Sequence, residues 1–145
     1  LSPKDYHRFH MPVDGFIEKT IYVPGHLWPV NNWAVKNVAQ LFCQNERVIS
    51  LIKPKNQQGF IAQIAVGATM VGKIHMAYCS IPEYKKSKHV ITLNHDSNIY
   101  LNQGDELGKF MFGSTIILLF SPGLISSFAK SAPSIVKVNE LLANF

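Results

Sequence analysis

The chain has 145 residues, of which 47% are hydrophobic and 16% charged, a composition typical of a folded globular domain that excludes extensive disorder. The net charge of +5 favours an anionic partner. The basic residues are scattered and their one dense group, 85–88, lies in a short polar segment, so an anionic membrane surface fits better than nucleic acid.

No apolar run reaches the ~18 residues that a membrane-spanning helix needs. The chain begins at Leu1 without a methionine, so we expect a piece of a longer polypeptide. Cys43 and Cys79 lack CxxC spacing; reduced, semi-buried thiols are expected, although the sequence leaves a disulfide open.

Short apolar runs separated by turn residues predict a mainly β chain. The expected strands are 16–24, 47–53, 76–81, 89–93, 98–101 and 109–120, with two buried strands or one bent strand over 60–74. Helical spacing predicts a short helix within 33–46 and another over 138–143. The pattern indicates one compact domain over 1–145, a β-sandwich or barrel-like fold with one or two short helices.

The segment from Gly67 to Lys73 has the spacing of a phosphate-binding loop, G-x-x-x-x-G-K. Ile74 follows where that motif needs Ser or Thr to hold magnesium. The β-branched neighbours indicate a strand and not a helix, so nucleotide binding is not favoured.

Two histidines, His7 and His10, lie three residues apart near the start of the chain. They are compatible with half of a metal site, but two histidines with no nearby Cys or carboxylate set do not complete one. We therefore predict no metal site, and hydrogen-bonded core histidines are the simplest alternative.

The sequence is organised around Gly113-Ser114, which precedes the apolar run 116–120. Gly113 can adopt a tight turn that brings the Ser114 hydroxyl close to its own carbonyl carbon. Such a serine needs a base to act as a nucleophile. On local composition alone, a hairpin turn with an incidental serine is the favoured explanation of the dipeptide, because Gly-Ser is an ordinary turn former.

The segments LSPKDYHRFHMP, PVN at 29–31, LFCQNERV at 41–48, VGATMVGKI at 66–74 and GDELGKFMFGST at 104–115 together resemble phosphatidylserine decarboxylases of the bacterial and mitochondrial type. The resemblance extends over nearly the whole chain in order. Two features differ: Phe112 replaces the usual leucine, and the family carries an upstream region, with membrane-associating helices and an aspartate that supports self-cleavage, which these residues lack.

The resemblance implies that the chain cuts itself between Gly113 and Ser114, giving a β chain, 1–113, and an α chain, 114–145. Ser114 would become a covalent pyruvoyl group, which acts as the electron sink for converting phosphatidylserine to phosphatidylethanolamine. His10 matches the residue assigned as the base for serine activation, and His7 matches the one assigned to proton handling in decarboxylation. Without the upstream aspartate, we expect slow cleavage, unless Asp5 or Asp14 orients His10.

The resemblance also implies a peripheral membrane protein, on the cytoplasmic face of a bacterial membrane or at the mitochondrial inner membrane. The expected partners are phosphatidylserine, an anionic membrane surface and the two cleaved chains; no nucleic acid is expected, and a homo-oligomer is left open. The alternative function is a non-catalytic β domain that binds lipid surfaces, or an unprocessed proenzyme fragment.

Overall fold

The computed structural model describes residues 5–69, 73–82, 84, 86–111 and 115–145. In chain order the elements are β1 (Arg8–His10), β2 (Gly15–Val23), α1 (Asn32–Asn37), α2 (Leu41–Gln44), β3 (Arg47–Pro54), β4 (Ile61–Val66), β5 (Ile74–Met76), β6 (Ile91–Leu101), β7 (Glu106–Phe110), β8 (Thr115–Phe120), β9 (Ser127–Phe128) and β10 (Ala143–Asn144). The prediction of a mainly β chain with short helices is confirmed.

The larger sheet contains five antiparallel strands in the order β6-β2-β3-β4-β8. Strand β3 alternates strictly, with Val48, Ser50 and Ile52 buried and the residues between them more exposed. This alternation is the one that a half-buried antiparallel strand requires. A bulge between Ile17 and Lys19 shifts the register of β2 against both neighbours and keeps Thr20 on the buried face.

The smaller sheet contains β1, β7 and β5, again antiparallel. Apolar side chains from both sheets form one buried cluster, to which the larger sheet contributes Ile17 and Val48 and the smaller sheet Phe9 and Phe110. The two sheets therefore enclose a common core, as in a sandwich. Among the described residues neither sheet closes on itself, so the barrel-like alternative is not realised.

Several predicted boundaries are corrected. The expected helix within 33–46 is two short helices, because the backbone turns extended at Val38, which ends the first, and left-handed at Gln40 (φ 52°), before the second begins. The predicted strand 109–120 is two strands in different sheets, whereas the predicted strands 89–93 and 98–101 are parts of the single strand β6, which begins only at Ile91.

Two predictions are wrong. Residues 77–81 are not a strand: 77 and 78 form a bend and 79–81 have no regular structure, because the hydroxyl of Tyr78 turns inward to hydrogen-bond Thr20 and Ser50. The segment 138–143 is not helical: Asn139 has φ 66° in a turn, and Ala143 pairs with Phe128. In the described part of the chain, no helix has the length and apolarity needed to cross a bilayer. Cys43 and Cys79 are free thiols.

Candidate active site

Gly113 and Ser114 lie outside the described residues, but both of their flanks are defined. On one side β7 ends at Phe110, and the backbone N–H of Met111 donates to the carbonyl oxygen of Lys73 at 3.3 Å. On the other side β8 begins at Thr115, which is paired with Val66 of β4. The connection therefore leads from the smaller sheet to the larger one.

The histidine-bearing strand β1 lies directly alongside β7. The N–H of Phe110 donates to the carbonyl oxygen of His7 at 2.9 Å, whereas His10 is paired with Glu106 at the opposite end of β7. Since β7 spans roughly 13 Å at 3.3 Å per residue, the register brings the backbone of His7 closer than that of His10 to the end of β7 that enters the Gly113-Ser114 connection.

The imidazole of His10 is held at both nitrogens. Nδ1 lies 2.8 Å from the carbonyl oxygen of Gly104, and Nε2 lies 2.7 Å from the hydroxyl of Tyr6. A carbonyl oxygen can only accept, so Nδ1 carries the proton and Nε2 presents its lone pair to the tyrosine hydroxyl. The rings of Tyr6 and His10 also stack at 5.7 Å between centroids. In this tautomer Nε2 is the basic nitrogen of the ring, and the Tyr6 hydroxyl occupies it.

The carbonyl that orients His10 comes from a tight turn before β7. Gly104 has φ +88° there, and its N–H donates to the carbonyl oxygen of Met11 at 2.9 Å, while Met11 in turn donates to Asp105 at 2.8 Å. The Asp14 carboxylate accepts the N–H of Gln103 at 2.7 Å. Asp14 therefore stabilises the turn, and Nδ1 of His10 is hydrogen-bonded to a backbone carbonyl and not to the Asp14 carboxylate.

A buried acidic residue, Glu46, lies between the flanks of the connection, and sequence reasoning missed it. Its carboxylate accepts hydrogen bonds from Tyr84 at 2.8 Å and Tyr22 at 3.2 Å, and its carbonyl oxygen accepts the N–H of Gly67 at 2.8 Å. Tyr84 also accepts the N–H of Ile74 at 3.0 Å, and burial raises the pKa of its hydroxyl above the ordinary value. The one available signal was an acid at the start of a strongly apolar strand.

Gly67 opens the segment with phosphate-loop spacing, and its backbone groups are already occupied. Its N–H donates to Glu46, and its carbonyl oxygen accepts the amide of Asn45 at 2.9 Å. Residues 70–72 lie outside the described residues. At Gly67 the backbone supports the fold and leaves no free N–H for a phosphate.

A second polar cluster was also unexpected. The hydroxyl of Tyr78 contacts Thr20 Oγ1 at 2.7 Å and Ser50 Oγ at 2.8 Å, and Thr20 Oγ1 lies 2.9 Å from His95 Nε2. Burial raises the pKa of Tyr78 to about 12, while burial lowers the pKa of His95. The hydroxyl groups of Tyr78, Thr20 and Ser50 are thus hydrogen-bonded inside the core. Sequence alone did not identify them, because the pairing depends on the bulge in β2.

The two antiparallel sheets define a β-sandwich domain in which a strand that carries a histidine pairs with the strand that enters a Gly-Ser connection. The chain belongs to the phosphatidylserine decarboxylase family, whose model matches residues 1–144. It is 37% identical over 150 residues to a phosphatidylserine decarboxylase proenzyme of Shewanella baltica (strain OS155), covering 99% of this chain and 51% of that protein. A proenzyme of the same name from Salmonella paratyphi B is 40% identical over 149 residues, with coverages of 99% and 46%. The chain thus spans about half the length of these curated relatives.

Proposed function

We propose that the chain is the self-processing catalytic part of a phosphatidylserine decarboxylase, which cleaves itself between Gly113 and Ser114 and converts phosphatidylserine to phosphatidylethanolamine. The observation that carries the proposal is the pairing of β1 with β7, which brings the backbone of His7 to the end of β7 that enters the Gly113-Ser114 connection. Family membership and relatives named proenzymes support the same conclusion.

The bond changes of the cleavage involve Gly113, Ser114, a histidine and one water. Ser114 Oγ attacks the Gly113 carbonyl carbon as a histidine takes the hydroxyl proton; the Gly113–Ser114 C–N bond then breaks and the Ser114 nitrogen is protonated, leaving an ester. Removal of the Ser114 α-hydrogen breaks the Cβ–Oγ bond and releases residues 1–113 with a carboxylate end. The resulting dehydroalanine takes up water and loses ammonia, which leaves a pyruvoyl group at the start of residues 114–145.

The strands around residue 114 fit a pyruvoyl group formed at that position. Strand β8 begins at Thr115 and pairs with β4 over six positions, from Thr115 opposite Val66 to Phe120 opposite Ile61. Because β4 belongs to the first product and β8 to the second, the ladder would hold the two cleaved chains together. When formed, the group would supply an electron sink for a substrate bearing an amine.

His10 of β1 and His7, which directly precedes β1, would handle protons. His10 has the tautomer that a general base needs, with Nδ1–H donated to Gly104 and the Nε2 lone pair facing the Tyr6 hydroxyl. We assign to His10 the serine proton in cleavage and to His7 the proton that replaces the lost carboxyl group. The pairing of β1 with β7 places the backbone of His7 nearer the connection than that of His10. Separate variants of the two histidines therefore test which of them acts in cleavage and which in decarboxylation.

We place the enzyme at the surface of an anionic membrane, since its proposed substrate is a lipid and its net charge is +5. The second candidate is a lipid-binding β domain without catalysis, which the exposed apolar side chains Trp33 and Phe128 favour.

The intact mass of the purified protein tests the proposal. We expect two chains, residues 1–113 and 114–145, with the smaller lighter by one ammonia than a peptide that begins with serine. Adding phosphatidylserine to that preparation should yield phosphatidylethanolamine and carbon dioxide. A stable single species of 16.3 kDa with no decarboxylation would contradict the proposal and support the lipid-binding domain.

A further inference from the structure

The outer face of the smaller sheet carries a row of basic side chains. Arg8 of β1 lies opposite Lys109 of β7, and Lys109 lies opposite His75 of β5. Residues directly opposite each other in a sheet share one face, with Cβ atoms about 5 Å apart. The neighbours Phe9 and Phe110 are buried in the core, so the basic row faces away from it.

Lys73 extends this row. It precedes His75 by two residues and therefore lies on the same side of the extended backbone. Its ammonium is 5.5 Å from the centroid of the Tyr84 ring. Lys73 and His75 also line one cavity at the edge of the sheet. We call Arg8, Lys73, His75 and Lys109 together the basic face.

The positive charge of the basic face is compensated at one position. Glu106 forms an ion pair with Arg8. Within the described ranges, no carboxylate lies within ion-pair distance of Lys73 or Lys109. The uncompensated positive charge of the basic face therefore lies on Lys73 and Lys109, where a bound anion would be favoured.

Amphipathic residues border the basic face. Met111 follows Lys109 by two residues and is 55% exposed, and Tyr6 precedes Arg8 by two and is 49% exposed. Tyrosine beside basic residues is typical of the interface between water and lipid headgroups. A nucleic-acid site would instead need basic residues tracking a longer backbone, whereas this row crosses only three strands, roughly 10 Å at 4.8 Å per strand.

We propose that the basic face docks the protein on the anionic headgroups of a bilayer, with Met111 and Tyr6 in the interfacial layer. Met111 immediately precedes in the chain the segment that contains Gly113-Ser114. The inference rests on the proposed function for its choice of a lipid surface, but its test does not require catalysis.

The test is partition of the full chain into vesicles of phosphatidylcholine, with and without phosphatidylglycerol, which is anionic but lacks the amine and carboxyl groups of phosphatidylserine. We expect binding only to the anionic vesicles, weakening as salt is raised. The double variant Lys73→Gln/Lys109→Gln should bind about 30-fold less tightly, since each basic residue near such a surface contributes roughly fivefold.

The matched control is Lys19→Gln/Lys53→Gln, which removes the same charge from exposed positions on the larger sheet. It should lose far less affinity, and urea unfolding of both double variants checks that they are folded. An equal loss in the two variants, equal binding to pure phosphatidylcholine, or tighter binding to duplex DNA than to the anionic vesicles would overturn the proposal. An uncleaved chain that partitions as expected would instead contradict the proposed function alone.

Discussion

The Nδ1 atom of His10 lies 2.8 Å from the carbonyl oxygen of Gly104, in the turn that precedes β7. In many acid-base sites a carboxylate fixes the histidine tautomer. At His10 a backbone carbonyl takes the place of that carboxylate. Hydrogen bonds to Met11 and Asp14 stabilise the turn that supplies the carbonyl. The orientation of His10 at Nδ1 therefore depends on a backbone conformation, while the Tyr6 hydroxyl holds Nε2.

That relationship predicts different effects for two glycine substitutions. Gly104 and Gly123 have φ values of +88° and +77°, and an added Cβ would meet no atom within 4 Å at either position. Gly104→Ala and Gly123→Ala should each lower the free energy of unfolding by about 1–2 kcal/mol, because an L side chain is disfavoured at positive φ. Only Gly104→Ala should also slow self-cleavage, measured by intact mass over time; equal cleavage rates in the two variants would contradict the role of the turn.

Separate variants of the two histidines should fail at different stages. His10→Ala should slow self-cleavage by about 10²–10⁴-fold, the usual contribution of a positioned general base. His7→Ala should still yield residues 1–113 and 114–145 but decarboxylate poorly. Mass spectrometry follows the first step and release of carbon dioxide the second. If His7→Ala is instead the variant that remains uncleaved, His7 is the base for cleavage, in agreement with its position nearer the connection, and the roles of the two histidines are exchanged.

Ser114→Ala should leave the chain whole and inactive, because it removes both the attacking oxygen and the precursor of the pyruvoyl group. The matched control is Thr115→Val, which removes the adjacent hydroxyl while keeping a β-branched residue at the start of β8. That control should cleave normally. A cut between residues 113 and 114 in Ser114→Ala, detected by mass, would eliminate the proposed mechanism.

Sequence patterns predicted the strands that alternate strictly and missed the elements set by contacts distant in the chain. The alternation of Arg47–Pro54 identifies β3 from its own residues. The run 109–120 looks continuous in sequence, yet β7 pairs with β1 and β8 with β4. Only the partner strands reveal that division.

In the candidate site, too, some residues were predicted from the sequence, whereas others depend on contacts between distant parts of the chain. His7 and His10 were identified because their motif resembles a known family, whereas the Gly104 carbonyl that orients His10 is a backbone atom that leaves no signal in side-chain chemistry. Glu46 was missed because a single acid at the start of a strand usually faces solvent. Its burial depends on Tyr22 and Tyr84, which are 24 and 38 residues away in the chain.

The buried side chain of Gln63 should be replaceable with a gain in stability. Its Oε1 atom has no hydrogen-bond partner, although the residue is only 4% exposed. Leaving a buried acceptor unsatisfied costs about 1–3 kcal/mol, so Gln63→Met should raise the free energy of unfolding by about 1 kcal/mol or more in urea titrations. Ser50→Ala, on the opposite position of β3, should be destabilising because it removes a partner of Tyr78. A loss of stability in Gln63→Met would show that the amide has a role in the core.

Alkaline pH should destabilise the fold through Tyr78. Burial raises its pKa to about 12 in the folded state, while the unfolded chain ionises near the ordinary value of about 10. Below pH ~10 both states keep the proton and the full stability is present; as pH rises towards ~12 the unfolded state ionises first, and roughly 2–3 kcal/mol is lost.

Tyr78→Phe provides the comparison for that loss. The variant should be less stable near neutrality, because the hydroxyl bonds to Thr20 and Ser50 disappear. Its stability should nevertheless fall less steeply between pH ~10 and ~12. A residual slope is expected, since burial also raises the pKa of Tyr84, and Tyr78→Phe/Tyr84→Phe should flatten the curve further. Parallel curves for the wild-type chain and Tyr78→Phe, from urea unfolding at each pH, would mean that Tyr78 does not titrate with unfolding.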